Sequence, residues 1–582
     1  MHRNLRLASS TIALVVVANS APALAQSTGS VDFDNQAIVV TGARVKGVDG
    51  VQLPDTSKAK QVLTQDVIAR QNPGQTILDT INLVPGVSFQ NNDAYGSSGG
   101  TLTIRGFDST RISLTFDGIQ LNDSGNYAIY SNQQLDPEII DQVNVNLGTT
   151  DVDSPTASAV GGTVNYRTIT PSDALGAMLS ASIGEYNFRR VFGMIQSGDI
   201  TGMGTKAFIS ASKATNDNPF NNYGKVDKQQ YNARIWQDIG SNGDFVAIAG
   251  HYNENRNNFF GSLPLRNDPG RTVGSSSSNR FPANADERTY TINFPCLTAP
   301  ATTGVADTTN SCGTEFDRRY NPSNTGNIRV ASRFTLTDGV VLTVDPSYQY
   351  VKANGGGTTT GYEYARVVSS TPLFGYIGGR PYTGVDLNGD GDLLDQVTVL
   401  QPSQTRTRRY GLIANLRWDI NADNTVRVSY THDYANHRQT GQIGLLNAAG
   451  EPLDVFPVND RIVDVTGSVL QKRDRQSFAI LDQVAGEYRG QIGPLTVNAG
   501  LRAPFFKRDL NQYCFTTSAS GFVDCFGTNT AANTTYAALN PTLQGPQQRV
   551  VKYNRVLPSV GVVYGFDNRT SVFASYSKNL SG

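Results

Sequence analysis

The sequence feature that most constrains the fold is an alternation of apolar and polar side chains, which recurs in segments between residues 175 and 576. A period of two places successive side chains on opposite faces of a β-strand. Apolar faces with aromatic residues near their ends are typical of a transmembrane barrel with a wet lumen, although a soluble β-sandwich also alternates. The apolar faces include Tyr410, Leu412, Ala414, Leu416 and Trp418, then Val426, Val428 and Tyr430, and later Val560, Val562, Tyr564 and Phe566, opposed by polar residues such as Asn415, Arg417, Arg427 and Ser429.

The lengths of the connections separate these two folds. The alternation predicts about 13 strands joined by connections that are short and long in turn. Short periplasmic turns and long extracellular loops are expected of an outer-membrane barrel, whereas loops this long are unusual in a soluble domain. Short connections are expected near 200–202, 239–243, 337–339, 419–423, 489–493 and 566–568, a tight hairpin near 184–187, a medium loop near 214–226, and long connections near 257–325, 354–404, 438–472 and 510–547.

The first 25 residues have the pattern of a secretory signal peptide. Arg3 and Arg6 precede an apolar run at 12–17, and Ala-Leu-Ala at 23–25 is a small-x-small cleavage site. A membrane anchor would need about 20 apolar residues, and no later stretch is long enough to cross a bilayer as a helix. A secreted chain of this kind is therefore either soluble or a barrel.

The overall charge excludes a class of partners. The 48 Lys and Arg residues nearly balance the 49 Asp and Glu residues, which leaves a formal charge of −1. Nucleic-acid binding and polybasic membrane contacts both require an excess of positive charge. We therefore expect no nucleic-acid partner.

A compact α/β module precedes the alternating segments, at residues 60–170. Residues 76–84 carry apolar side chains at helical spacing, and Pro85 and Gly86 end that helix because proline clashes with the preceding turn. This part of the chain is therefore predicted to form a separate domain.

Two further signals lie in the same module. Asp117 and Gly118 separate two apolar runs, which predicts a hairpin turn, and Val143 and Val145 alternate with asparagines, which predicts a strand with one buried face. In this order the segments resemble the plug domain of TonB-dependent outer-membrane receptors. The resemblance covers the whole module.

The resemblance implies a mainly β fold, in which an α/β plug lies inside a transmembrane antiparallel β-barrel. Barrels of this type have about 22 strands, so about 13 strands leave the C-terminal part of the barrel missing from the sequence. The implied divisions are a signal peptide at 1–25, a flexible leader at 26–59, the plug at 60–170 and a partial barrel at 171–582.

The segment just before the plug resembles a TonB box, formed by Ile38, Val39, Val40, Thr41 and Gly42. Such β-branched residues favour the extended state, and an exposed extended segment can add to the sheet edge of a partner. The alternative is a buried first strand. The box implies the periplasmic partner TonB.

The plug also departs from the family pattern. Asn146, Leu147 and Gly148 stand where the family usually has an Arg-Gly pair, and the segment at 149–159 lacks the usual Tyr-Gly. No charge pairing between plug and barrel wall can therefore be carried over from the family at this point.

The implied function is active import, driven by TonB, of a scarce and bulky ligand across the outer membrane of a Gram-negative bacterium. An iron–siderophore complex is the expected ligand, while a carbohydrate, cobalamin or another small-molecule metal chelate remain alternatives. A passive porin would need neither box nor plug. Outer-membrane lipid would surround the barrel.

Catalysis has little support in the sequence. After the signal peptide the histidines are His251, His432 and His437, and none lies in a nucleophile or metal-ligand motif. His432 falls on the apolar face of its strand, where we expect a lipid interface. We therefore predict that the protein is not an enzyme.

Four cysteines lie in two of the long loops. Four cysteines allow three pairings, and local spacing favours Cys296 with Cys312 and Cys514 with Cys525. An oxidising compartment favours disulfides over free thiols.

The loop at 386–397 is predicted to bind a structural calcium ion. Asp386, Asn388 and Asp390 occupy positions 1, 3 and 5 of a calcium loop, and Asp392 is placed to ligate through its carbonyl. Val397 stands where the bidentate glutamate is usual. The alternative is a turn rich in Asp and Gly, held by side-chain-to-backbone hydrogen bonds.

Overall fold

The computed structural model describes residues 51–52, 57–91, 93–97, 99–130, 133–156, 158–218, 221–257, 301–308, 321–447, 452–457, 460–518, 522–566 and 570–580. The predicted signal peptide, the TonB-box segment, Cys296 and Cys312 lie outside these residues. A search of the described helices finds none long and apolar enough to cross a membrane.

The N-terminal domain is built on a six-stranded sheet with the strand order β1-β2-β8-β9-β6-β7, beside a three-stranded sheet β3-β4-β5. Its elements are Val51–Gln52 (β1), Lys60–Thr64 (β2), Gln65–Ile68 (α1), Ile77–Thr80 (α2), Val87–Asn91 (β3), Gly100–Ile104 (β4), Phe107–Asp108 (β5), Ile112–Phe116 (β6), Ile119–Gln120 (β7), Ile140–Leu147 (β8) and Gly162–Thr168 (β9), with 3-10 helices at Ile81–Leu83, Ser109–Arg111 and Pro137–Ile139.

The predicted helix at 76–84 is confirmed as α2 followed directly by a 3-10 turn. The Asp79 carboxylate accepts the N–H of Thr76 at 3.2 Å, so the first turn is capped by its own side chain. Ile77, Leu78 and Ile81 are fully buried in the core of the domain. Burying these aliphatic side chains stabilises the domain by roughly 1.5–3 kcal/mol each.

The predicted turn at Asp117 and Gly118 is also confirmed. It joins β6 to β7, and both residues have positive φ, 46° and 85°, as the tight turn between two antiparallel strands requires. The prediction of one buried face on β8 is wrong, because Asn144 and Asn146 are buried as well as Val143. Their face is covered by other polar residues of the domain and by the surrounding sheet.

The rest of the chain forms a 14-stranded antiparallel sheet. Two successive strands, β29 and β30, pair with the same neighbour and act as one interrupted strand, so the path holds thirteen strands, as predicted. No pairing closes the path from β31 back to β10 within the described residues. The strands are Leu175–Gly184 (β10), Phe188–Ser197 (β11), Thr205–Asn218 (β12), Asn221–Ile239 (β13), Asp244–Asn257 (β14), Ser323–Thr337 (β15), Val340–Gly355 (β16), Ser403–Asn421 (β23), Asn424–Gln442 (β24), Gln471–Ile492 (β25), Leu495–Gln512 (β26), Gln547–Asn554 (β29), Leu557–Gly565 (β30) and Ser571–Ser577 (β31); short strands between them are Thr358–Tyr362 (β17), Arg366–Val368 (β18), Thr371–Leu373 (β19), Gly375–Ile377 (β20), Arg380–Tyr382 (β21), Gln396–Leu400 (β22), Phe515–Thr516 (β27) and Val523–Asp524 (β28).

The faces of the large sheet follow the predicted alternation. On β23, Trp418 is 51% exposed and Tyr410 50% exposed, whereas Asn415 and Arg417 are buried on the side of the N-terminal domain. Apolar residues outside and polar residues inside are the arrangement of a barrel in lipid. The inner face surrounds the N-terminal domain, and from here on we call that domain the plug.

The connections differ from the prediction at one place. Strands β12 and β13 extend through the expected medium loop at 214–226, with Asp217 paired to Lys225. Among the described residues, short connections are found close to the predicted places, including 338–339 and 422–423; most of the one predicted at 566–568 lies outside the described residues.

Three long connections, 356–402, 443–470 and 513–546, fold together into what we call the cap. It contains the small strands, the helix Thr530–Leu539 (α3) and two apolar clusters. Tyr376 and Cys525 exchange backbone hydrogen bonds of 2.8 Å between two of these connections. The long loops are therefore a packed layer above the barrel.

Candidate functional site

A cavity of about 1200 Å³ lies between the plug, the inner face of the sheet and the cap. Its floor is formed by plug residues in 99–101 and 123–133, and its wall by the outer ends of β16 and β23–β26. The cap contributes residues 356–358 and Gln544. Its volume is at the upper end of ordinary ligand sites, which suits a bulky ligand.

The cavity is strongly cationic. Its described lining holds Lys472, Arg473, Arg475, Arg508 and Arg549, but only one carboxylate, that of Asp123. With the lining histidine neutral, the sum is four positive charges. The site would attract anions.

Two of these cations are held in place by polar neighbours. Lys472 donates to the carbonyl of Gln401 at 2.9 Å, and Arg475 donates to the side-chain oxygen of Gln439 at 2.5 Å. Neither contact neutralises the charge.

Arg508 connects the wall to the floor of the cavity. Its guanidinium donates to the carbonyl of Ser124 at 2.7 Å and lies 4.9 Å from the centre of the Tyr127 ring. Both partners belong to the plug loop after β7. A ligand that contacts Arg508 would therefore also act on the position of this loop.

His437 is a second lining residue of the wall that packs against that loop. Its Nδ1 lies 2.8 Å from the hydroxyl of Thr407, while its buried Nε2 has no hydrogen-bond partner in the described part of the chain. A Cβ on Gly125 would lie 2.5 Å from Nε2. Only glycine therefore fits beneath the imidazole ring, and wall and plug are in direct contact here.

Below the cavity, arginines of the sheet hold acidic residues of the plug. Arg190 donates to both oxygens of Glu138 at 2.6 and 2.8 Å and to Asp136 at 2.9 Å. Arg427 pairs with Asp153 of the plug at 3.2 Å and with Glu487 of the wall at 2.9 Å. The pairing thus places the cations on the wall and the carboxylates on the plug.

Asp117, in the turn between β6 and β7, makes a third such contact. Its carboxylate accepts from Nε of Arg329 at 2.6 Å and from the N–H and hydroxyl of Thr168. Burial alone would raise the pKa of Asp117, but Arg329 and Arg234 outweigh it and lower the pKa to about 2. The turn is thereby fastened to the wall.

Ser57 and Lys58, between β1 and β2, tie the start of the plug to the wall and to the rest of the plug. Ser57 is buried against Gly561 of β30, where a Cβ would lie 1.9 Å from its Oγ. Lys58 pairs with the buried carboxylate of Asp151 at 3.2 Å, which also accepts from Asn165 at 2.9 Å. The connection between β1 and β2 of the plug sheet is thus anchored on both sides.

The predicted site residues lie in different places. Ile38–Gly42, Cys296 and Cys312 are outside the described residues. Cys514 and Cys525 form a disulfide of 2.00 Å in the cap, which joins the two sides of the small β27–β28 hairpin.

In most of the predicted calcium loop, side chains accept hydrogen bonds from N–H groups of the same loop, as in the turn rich in Asp and Gly that is the alternative to a calcium site. Asp386 accepts from the N–H groups of Gly389 and Gly391 at 2.6 and 2.9 Å. Asp390 accepts from the N–H of Asp392 at 3.0 Å, and Asn388 donates to Asp395 at 2.6 Å. Asp386 is not among the carboxylates of the loop that lie within 4.8 Å of one another in groups of three.

The structure brings other carboxylates to this loop. Oxygens of Asp307, Asp390 and Asp395 lie within 4.8 Å of one another, as do those of Glu363, Asp392 and Asp395. The hydrogen bond from Asp392 lowers the pKa of Asp390, but burial and the neighbouring carboxylates outweigh it and raise the pKa. Sequence spacing could not find Asp307 or Glu363, because both come from distant segments.

Two other histidines lie apart from the cavity lining. His432 is on the outer face of β24, as expected, and its Nδ1 lies 2.8 Å from Asp482 of the adjacent strand. His251 is buried on the inner face of β14, with Nδ1 2.6 Å from Asn232. Neither lies beside a nucleophile that the described contacts would activate.

Comparison with known proteins gives a family match for the N-terminal domain. Residues 52–163 match the model of the TonB-dependent Receptor Plug Domain.

Several solved structures are similar to this chain over about nine tenths of its length. The siderophore receptor PiuA from Acinetobacter baumannii is similar with a TM-score of 0.55 and 15% identity, over 90% of this chain and 65% of that one. The closed form of the ferric-catecholate import receptor Fiu from K12 E. coli is similar with a TM-score of 0.57 and 16% identity, over 90% of this chain and 65% of that one. The ferric yersiniabactin uptake receptor FyuA from Yersinia pestis is similar with a TM-score of 0.55 and 12% identity, over 89% of this chain and 64% of that one. The chain thus spans less than two thirds of the length of each, and the likeness concerns the fold.

Proposed function

We propose that this chain, which has the plug domain of TonB-dependent receptors and shares the fold of such receptors, imports a bulky iron–siderophore complex across the bacterial outer membrane. The observation that carries the proposal is the cavity of about 1200 Å³, which is open to the cap and floored by the plug. A ligand in it touches both the wall and the domain that blocks the way inward.

The mechanism follows from this geometry. Ligand enters beneath the cap and contacts the plug loop at Asp123–Tyr130, which Arg508 and His437 hold from the wall. TonB would pair with the extended segment Ile38–Gly42 and pull on the start of the plug at Ser57 and Lys58. No bond in the ligand is made or broken.

The plug's contacts with the wall explain why energy is needed. Each buried ion pair, such as Arg190 with Glu138, must be separated or carried along when the plug moves. Breaking one by removing a partner typically costs about 3–5 kcal/mol, so spontaneous opening would be rare. A passive porin is disfavoured for the same reason.

The structural neighbours support the proposed ligand class. PiuA, Fiu and FyuA are receptors for siderophores or their iron complexes, which supports an iron chelate over a carbohydrate or cobalamin.

The test compares cells that carry the intact gene with cells that lack it. They are supplied with radioactive iron in a panel of siderophores and, separately, with carbohydrates and cobalamin. We expect accumulation of at least one iron chelate that depends on the gene and stops when the proton gradient is collapsed. Accumulation of a carbohydrate or cobalamin alone would replace the ligand, and uptake insensitive to the gradient would contradict active import.

We also propose that a calcium ion orders the cap at Asp390, Asp392 and Asp395, together with Glu363 and Asp307. What supports it is the convergence of these carboxylates from three segments. Hard oxygen ligands suit calcium, and the missing bidentate glutamate points to a weak site with a Kd of about 10⁻⁴–10⁻³ M.

Calorimetry of the purified receptor with calcium chloride tests this site. We expect binding heat in the wild type, none in Asp395→Asn, and unchanged heat in the control Asp423→Asn, which lies in a short turn at the other end of the barrel. No heat at millimolar calcium, or equal heat in Asp395→Asn, would contradict the site.

A further inference from the structure

We infer that the cavity selects ligands by charge: its ligand is an oxygen-rich metal chelate with a net negative charge, held by the cations of the lining, which are Lys472, Arg473, Arg475, Arg508 and Arg549. This rests on the proposed function and names the substrate class of the same site. An uncharged chelate of equal size would be a poor ligand.

Carboxylates of the protein do not neutralise these five cations, although three of them donate hydrogen bonds to neutral groups. No carboxylate forms an ion pair with any of the five cations among the residues that the structure describes. Other arginines of the inner face are paired with carboxylates, as Arg409 is with Asp433 at 3.0 Å and Arg329 with Asp117 at 2.6 Å. The cavity therefore carries positive charge that no carboxylate of the described residues neutralises.

The cations of the lining lie on neighbouring strands. Arg473 and Arg475 are two residues apart on β25, so they project from the same face of the strand. Arg508 and Arg549 come from β26 and β29, which pair with each other. The cations therefore cover one side of the cavity rather than scatter around it.

Four of the five lining cations are arginines, whose N–H groups are the hydrogen-bond donors of the cavity. Arginine presents a planar fork of N–H groups that matches pairs of oxygen atoms, and its charge cannot be lost at physiological pH. Oxygen-rich anions are the ligands that such a surface binds best. Around these cations the lining is mostly amide and hydroxyl groups, for example Gln439, Gln476 and Asn511.

Negative charge is nearly absent from the described lining of the cavity. Asp123 is the one lining carboxylate of the described cavity, and its Oδ1 already accepts from the N–H groups of Gly125 and Asn126 at 2.7 and 3.2 Å. It therefore serves its own loop and offers little to a cationic ligand. A positively charged ligand would meet uncompensated repulsion.

The test uses two ferric chelates of similar size. A tris-catecholate complex of Fe(III) carries three negative charges, while a tris-hydroxamate complex of Fe(III) is uncharged. Binding of each to the purified receptor is measured by tryptophan fluorescence at low and high salt. We expect the tris-catecholate to bind at least about 100-fold more tightly, with an affinity that falls as salt screens the charges.

Three variants locate the effect. Arg473→Gln and Arg549→Gln keep polar side chains of similar length, and each is expected to weaken tris-catecholate binding by about tenfold or more. Arg189→Gln is the control, because Arg189 is exposed at the start of β11 and does not line the cavity. Its binding should equal that of the wild type.

The outcomes separate the inference from the proposed function. Equal affinity for the two chelates, no binding of either, or wild-type affinity in both cavity variants would overturn the selection by charge. Gradient-dependent import is measured separately in cells. Tight binding of the anion without import would overturn the proposed function and leave the charge selection standing.

Discussion

The turn at Asp117 offers a quantitative test of how the plug is held. Replacing this residue by asparagine removes the charge but keeps a side chain that tolerates the positive φ of 46°. The substituted amide resembles a protonated carboxyl, so the energetic effect can be worked out from the pKa. It should loosen the turn from Arg329 without unfolding the hairpin.

The magnitude follows from linkage. The pKa of Asp117 falls from 3.8 to about 2 in the folded plug. A difference of about 1.8 units corresponds to about 2.5 kcal/mol that the charged form contributes at neutral pH. Because the folded pKa is lowered, this contribution is complete above pH ~4 and is lost as the pH falls through 2, with about 1 kcal/mol left at pH 3.

Hydrogen exchange followed by mass spectrometry measures the effect. At pH 7, peptides that cover β6, β7 and β9 in Asp117→Asn should exchange up to about 50-fold faster than in the wild type. The control is Asp108→Asn, since Asp108 is an exposed cap of a 3-10 helix and contacts no wall residue in the described structure. The reasoning fails if exchange in Asp117→Asn is unchanged at pH 7. It also fails if chemical unfolding shows the same gap between variant and wild type at pH 3 as at pH 7.

Two further predictions concern the cap and the entry to the plug. Replacing both Cys514 and Cys525 by alanine should destabilise the cap by about 3 kcal/mol, which limited proteolysis within 513–546 should detect; cleavage at the wild-type rate would argue against it. Lys58→Met should remove the cation that pairs with the buried Asp151 carboxylate, and small antibiotics should then leak through the barrel more readily. Lys58→Arg should keep the ion pair and the wild-type antibiotic sensitivity. Equal antibiotic sensitivity of the two variants would contradict an anchoring role.

The barrel strands could be predicted from the sequence because their period is fixed by the backbone. The exposed Trp418 beside the buried Arg417 shows the assignment of faces to be correct. The same reasoning was wrong for β8, since a domain enclosed by a polar wall buries Asn144 as completely as Val143. Alternation identifies two faces, but it does not tell what covers each of them.

The site was less predictable, because its residues meet over long distances in the chain. The aspartates at 386–392 were visible as a local pattern, but Glu363 and Asp307 complete the cluster from outside it. Arg473 and Arg549 look like any inward-facing polar residues of a barrel strand. Only the packing of three loops into the cap shows that they surround one cavity.

The central claim, that the chain is an importer driven through its N-terminal segment, is tested most directly by Val39→Pro. Proline cannot donate to an added strand and disrupts its pairing, while the described lining of the cavity includes no residue of this segment. Binding and uptake of a radioactive ferric chelate are measured in the same cells. The account predicts wild-type binding with no uptake, and normal uptake by Val39→Pro would contradict it.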